Sequence, residues 1–180
     1  MIINKAVFLD RDGIINIDNG YIFKKEDFKF TKGIFDFLKN LQLLGYKLFI
    51  ITNQSGIARG YYTEDDFHKL NDFMLNEFKK NGINIEKVKY CPHHILGIIE
   101  KYSVNCNCRK PNSGMIEDIL KEYNIDIKSS FMIGDKESDI IAGKNVGLKT
   151  ILVNNNYNFK IKADFIVSDL GDLLNLKGVF

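Results

Sequence analysis

Ala6-Val-Phe-Leu-Asp-Arg-Asp-Gly13, written AVFLDRDG, decides how the rest of the chain is read. Its four apolar residues form a run too short for a helix and apolar on both faces, as in a strand buried inside a parallel sheet. Two acids and a glycine follow at once, so charged groups stand where the strand ends. The same grammar recurs downstream. Lys47-Leu-Phe-Ile-Ile51 leads into Thr52-Asn-Gln-Ser-Gly56, and Ser130-Phe-Met-Ile133 leads into Gly134-Asp135, with Asp139 shortly after.

Between these runs the apolar period becomes helical. Gly33 to Leu44 sets Ile34, Phe37, Leu38 and Leu41 on one face, and Gly45 stops that segment. Thr63-Glu-Asp-Asp66 reads as a capped helix start whose acids favour the positive end of the dipole, and this helix runs to about Lys80. Ile85 to Tyr90 reads as a strand, Gly114 to Tyr123 and Glu137 to Val146 as helices, and Thr150 to Val153 as a strand. A weaker Phe165-Ile-Val167 strand and a terminal helix close the order. Such alternation predicts an α/β fold, a doubly wound parallel sheet with helices on both faces, as a single domain over residues 1–180. Ligands of such sheets bind at the carboxyl ends of the strands. Three strands therefore deliver polar residues to one edge.

Composition narrows the function classes. The 180 residues are 45% hydrophobic and 27% charged, with a net charge of +2, too little for a nucleic-acid footprint. No apolar run approaches the roughly twenty residues that span a bilayer. Neither nucleic acid nor membrane is an expected partner, and no apolar stripe argues against a monomer. The opening MIINKAVFLD lacks the apolar stretch of a signal peptide, so the expected compartment is the cytoplasm. There the three cysteines are expected as thiols or metal ligands, not disulfides.

On an extended stretch, Asp10 and Asp12 flank Arg11 with their side chains on the same side. Carboxylates that close need a cation between them. With Asp135 as a third oxygen donor, the set suits Mg²⁺. Cys91-x-His93 and Cys106-x-Cys108 form two pairs of softer ligands, a Cys₃His set for tetrahedral zinc with His94 as a competing fourth ligand. A closed four-ligand site is structural, and here it would pin a loop of about twenty residues, longer than a compact domain usually leaves unsupported. Arg109 and Lys110 lie just beyond Cys108, so the thiolates would moor the segment that aims both at the sheet edge. His68, on a helix, reads as a surface residue.

Asp10-x-Asp12-Gly13, Thr52, Lys110-Pro111 and Gly134-Asp135-x-x-x-Asp139 resemble, in order and across the whole chain, the four motifs of the haloacid-dehalogenase-like (HAD) phosphohydrolases. The resemblance implies a Rossmannoid HAD-like fold, and nothing in the chain reads as an inserted cap domain. It implies Asp10 as the nucleophile that forms an aspartyl-phosphate, and Asp12 as the acid and then base. Thr52 would donate a hydrogen bond to the phosphoryl group and Lys110 a charge. Mg²⁺ would be held by Asp10, Asp135 and the carbonyl of Asp12. Ile14 departs from the Thr that many relatives carry.

The stretch from Asp10 to Tyr21, the TNQSGIARG run and YCPHH…CNCRKP are similar to the heptose bisphosphate phosphatase branch of that family, whose pattern also favours His93 over His94. That branch implies a small-molecule sugar bisphosphate as substrate, in the making of lipopolysaccharide core or surface sugars. Its substrate contacts would be Asp10, Arg11 and Asp12; the loop Asp18, Asn19, Gly20 and Tyr21; and Asn53, Gln54 and Ser55 beside Thr52. Arg109 would meet the non-reacting end of the sugar, and Lys136 would touch substrate next to Asp135. Histidinol-phosphate phosphatases, with a shorter loop between the cysteine pairs, are the alternative. A zinc-stabilised binding module without catalysis is the second alternative.

Overall fold

The first apolar run ends where the first strand ends. A computed structural model of the chain describes residues 3–153 and 160–175. Strand β1 (Lys5–Leu9) sends Ala6 and Phe8 into one core and Val7 and Leu9 into another, all without exposure. This period of two follows from the pleat. Burial on both faces explains why the run is apolar throughout.

Strands β2 (Tyr46–Asn53), β3 (Ile85–Cys91), β4 (Phe131–Gly134), β5 (Lys149–Val153) and β6 (Phe165–Val167) complete a parallel sheet of order β3-β2-β1-β4-β5-β6. Helices α1 (Ile34–Leu43), α2 (Glu64–Lys80) and α5 (Leu170–Asn175) supply Phe37, Leu38, Leu70, Met74, Phe78 and Leu170 to the core below Val7 and Leu9. Helices α3 (Gly114–Glu122) and α4 (Glu137–Asn145) supply Met115, Ile116, Ile119 and Ala142 to the opposite core. There Phe8 stacks on Phe49 with ring centroids 5.3 Å apart. Truncating either ring to alanine costs about 3–5 kcal/mol.

The capped start expected for α2 is present: the Thr63 side chain accepts from the Asp66 N–H, and Asp66 accepts from the Thr63 N–H. The doubly wound α/β class holds, with no cap domain evident among the described residues. Residues 1–2, 154–159 and 176–180 of the expected 1–180 domain lie outside the described residues. No helix among the described residues is long and apolar enough to cross a membrane.

The strand order decides where a site can form. From β1 the sheet grows one way through β2 and β3, then the other way through β4, β5 and β6. The loops after β1 and β4 therefore diverge and leave a crevice at the carboxyl ends of the strands.

Candidate active site and cysteine-histidine cluster

Asp10 follows the last residue of β1, and its N–H donates to the Ile133 carbonyl on β4 at 3.0 Å. Its Oδ1 accepts from the Arg11 N–H at 2.8 Å and lies 2.9 Å from Lys110 Nζ. The same ammonium donates to the Ile51 carbonyl at 2.8 Å and lies 2.7 Å from Asp139 Oδ1. The ammonium therefore meets one carbonyl and two carboxylates, all inside the protein. Asn53 brings Lys110 there: its Oδ1 accepts from the Lys110 N–H at 3.0 Å, and its Nδ2 donates to the Lys110 carbonyl at 2.9 Å.

Burial pushes the Asp10 carboxyl up to about 7; Lys110 opposes the shift, and Asp139, Asp12 and Asp135 add to it. Burial likewise pushes Asp135 up to about 6, with Lys136 opposing and Asp139 adding. Lys110 moves upward even though burial acts downward on it, because Asp10 and Asp139 hold its charge.

Asp10, Asp135 and Asp139 each offer a carboxylate oxygen, all within 4.8 Å of one another. Asp139 is already committed, with Oδ1 against Lys110 and Oδ2 accepting the Lys136 N–H at 3.0 Å. Asp10 and Asp135 are hard donors whose charged forms are held back by burial, the donor chemistry that a small divalent cation such as Mg²⁺ satisfies. Gly13 makes room for Asp135. Its φ is +98°, and a Cβ there would lie 2.3 Å from Asp135 Oδ2.

The carboxylate of Asp12 does not join this cluster, contrary to the extended reading of Asp10-Arg-Asp12. The chain leaves the strand after Leu9 and turns, with the Ile15 N–H on the Arg11 carbonyl at 2.8 Å and the Gly13 N–H on the Asn16 carbonyl at 2.8 Å. The period of two stops there. Asp12 instead accepts from Arg11 Nη2 at 2.8 and 2.9 Å, Asn16 Nδ2 at 3.1 Å and Gln54 Nε2 at 2.9 Å. Arg11 differs from its expected place among the substrate contacts. Its side chain is 1% exposed, with Nη2 on Asp12 and on the Ile22 carbonyl at 2.9 Å.

A cleft of about 360 Å³ borders this group at Asp12 and Lys110. Asp18, Gly20 and Tyr21 also line it, as do Asn53, Gln54, Ser55, Arg109 and Lys136. Lys136 Nζ reaches Asp18 Oδ2 at 2.9 Å, which ties the α4 side to the Asp18 loop. Burial acts upward on the Asp18 carboxyl, but hydrogen bonds from Lys136 and Gly20 bring it below its ordinary range. Tyr21 holds a left-handed φ of 52° and packs edge-on to Tyr61. Asn19 is exposed beside them, and Thr52 is buried below with Oγ1 2.8 Å from Gln54 Nε2.

Cys91, His93, Cys106 and Cys108 converge as the spacing predicts. The Cys91, Cys106 and Cys108 sulfurs lie 3.1–3.5 Å apart, and His93 Nδ1 is 3.3 Å from Cys108 Sγ and 3.7 Å from Cys91 Sγ. Three sulfurs and an imidazole nitrogen at one point fit zinc. Hydrogen bonding from Cys91 pulls the Cys108 thiol down to about 5, towards the thiolate that a metal binds. His94 stays outside: its Nδ1 accepts from the Leu96 N–H at 3.0 Å, and its Nε2 faces Arg59 Nη2 at 3.2 Å. Arg109 Nη1 donates to the His93 carbonyl at 3.2 Å, so the cluster is joined to the cleft. His68 is exposed, as expected.

Asp139 stands in a motif of the sequence, but nothing there shows its pairing with Lys110. Tyr62, which also lines the cleft, carried no signal beyond its apolar ring.

Known proteins give the same picture. A HAD-hydrolase-like family model matches residues 107–173. A protein of Helicobacter pylori named D-glycero-beta-D-manno-heptose-1,7-bisphosphate 7-phosphatase is 52% identical over 151 residues, 83% of each chain. A Campylobacter jejuni protein named as the corresponding alpha-anomer phosphatase is 47% identical, over 95% of this chain and 94% of its own. The crystal structure of D,D-heptose 1,7-bisphosphate phosphatase from B. bronchiseptica, complexed with magnesium and phosphate, superposes with a TM-score of 0.78. It is 26% identical and is matched over 95% of this chain and 98% of its own. The chain belongs to the D-glycero-D-manno-heptose-1,7-bisphosphate 7-phosphatase family of HAD-like hydrolases.

Proposed function

We propose that the chain hydrolyses the 7-phosphate of D-glycero-D-manno-heptose 1,7-bisphosphate through an aspartyl-phosphate on Asp10. The observation that carries this reading is Asp10 at the end of β1, paired with Lys110, which lines a cleft together with Asp12. Asp10 attacks phosphorus, the bond to the sugar oxygen breaks, and Asp12 gives that oxygen a proton. Water then attacks the phosphorus of the aspartyl-phosphate, Asp12 takes its proton, and Asp10 is released with inorganic phosphate. Thr52 donates to a phosphoryl oxygen and Lys110 offsets its charge. Asp10, Asp135 and the carbonyl of Asp12 would hold magnesium, which would supply further positive charge to the phosphoryl group.

Zinc on Cys91, His93, Cys106 and Cys108 keeps the 91–111 segment in place. Arg109 recognises the non-reacting end of the sugar, while Tyr21, Asn53, Ser55 and Lys136 line its path. The enzyme works as a monomeric single domain in the cytoplasm. The names of the relatives favour a heptose bisphosphate over histidinol phosphate. The convergence of Asp10, Asp12, Thr52, Lys110 and Asp135 on one edge argues against a module without catalysis.

The test offers purified enzyme the α and β heptose bisphosphates and histidinol phosphate side by side with magnesium. Phosphate release from a heptose bisphosphate, and little from histidinol phosphate, is expected. Equal or faster turnover of histidinol phosphate overturns the assignment.

A further inference from the structure

We infer that Tyr62 is a positioning residue that holds the acid-base carboxylate of Asp12 in place through Gln54; the inference rests on the hydrolase reading above. Tyr62 is 6% exposed, and its hydroxyl donates to Gln54 Oε1 at 2.5 Å. The amide nitrogen of Gln54 then gives one N–H to Asp12 Oδ2 at 2.9 Å and the other to Thr52 Oγ1 at 2.8 Å. One planar amide thus joins the group that moves the proton to the group that holds the phosphoryl oxygen. By accepting from Gln54, Thr52 keeps its own O–H free to donate to that oxygen.

An amide can turn over about its last bond. Turned over, Gln54 would aim its oxygen at the carboxylate of Asp12, acceptor against acceptor. A donor fixed at Oε1 prevents this, and Tyr62 is that donor. Burial pushes its phenol ionisation well upward, so the proton stays on.

The ring is built into the wall of the site. It stacks on Phe23 with centroids 5.1 Å apart and 12° between the planes. It also fills the space over Gly56, where a Cβ would lie 2.1 Å from the nearest ring carbon. Gly56 and Tyr62 are therefore a matched pair within one turn-rich stretch, and the hydroxyl is placed by packing on both sides of the ring.

Tyr62→Phe removes the hydroxyl and keeps the ring. Its kcat should fall about fivefold, the effect of one hydrogen bond, with KM unchanged and the melting temperature lower by only about 2–6 °C, as one lost buried hydrogen bond requires. A cycle with Gln54→Leu separates positioning from packing, because Tyr62→Phe should have no further effect once Gln54 is gone. Both arms are run on phenyl phosphate and on heptose bisphosphate. A wild type that hydrolyses only phenyl phosphate refutes the sugar assignment and leaves the cycle readable on that ester. Wild-type kcat in Tyr62→Phe, or the same fivefold loss in both backgrounds, overturns the inference. A wild type inert towards both esters overturns the hydrolase reading and this one together.

Discussion

Lys110 Nζ lies 2.7 Å from Asp139 Oδ1, with the two side chains 2% and 1% exposed. One comes from the segment after the cysteine pair and the other from the first turn of α4, and Asp10 completes the group from β1. A buried ion pair is weak evidence of stability, but removing one partner leaves the other charge without compensation.

Lys110→Met should therefore abolish phosphate release and destabilise the protein by about 3–5 kcal/mol in magnesium-free buffer. Urea unfolding with and without magnesium reads this out. Magnesium should restore part of the loss, because a cation beside Asp10 replaces part of the missing charge. A loss identical in both buffers would place the metal elsewhere.

The sign of the pH dependence follows from Asp10 and Asp135, whose carboxyls are raised to about 7 and about 6 from 3.8. Between pH 4 and 7 the folded chain holds more protons than the unfolded one. The contribution of these two groups is complete below about pH 4 and is lost as pH rises through 6 to 7. Magnesium competes with those same protons. The magnesium concentration for half-maximal activity should fall from pH 5.5 to pH 8, and the metal should raise the melting temperature more at the higher pH. A midpoint that does not move with pH refutes this.

Gly13→Ala tests the space kept for Asp135. The new methyl meets the carboxylate, and the backbone is held at a φ of +98° that alanine resists. A cost of about 1–3 kcal/mol is expected, together with at least tenfold weaker magnesium binding by calorimetry. Unchanged magnesium affinity would detach Asp135 from the metal.

For the cysteine cluster, metal analysis should find one zinc per chain. Cys106→Ser should lose it, and amide exchange should speed up across residues 91–111, the Lys110 amide included. Full activity and unchanged exchange in the metal-free variant would reduce the cluster to ordinary packing.

The chain reads well where structure follows from local pattern. Strands buried on both faces have no polar residue to interrupt them, so β1 and the centre of β2 could be placed from AVFL and LFII alone. The cysteine cluster was legible because ligand chemistry fixes spacing. Arg11 and Asp12 read poorly because a turn begins at the residue where the strand period was still being applied. Tyr62 was hidden for a different reason. Its hydroxyl matters only through Gln54, eight positions earlier, and no periodicity records such a contact.

The clamp between Asn53 and Lys110 joins residues 57 positions apart. On the ribosome, the amino-terminal half can lay down Asp10 and Thr52 long before the lysine emerges, and Asp135 and Asp139 emerge later still. Competence for hydrolysis is then among the last properties the nascent chain acquires, and truncated translation products carry Asp10 without the Lys110 charge beside it.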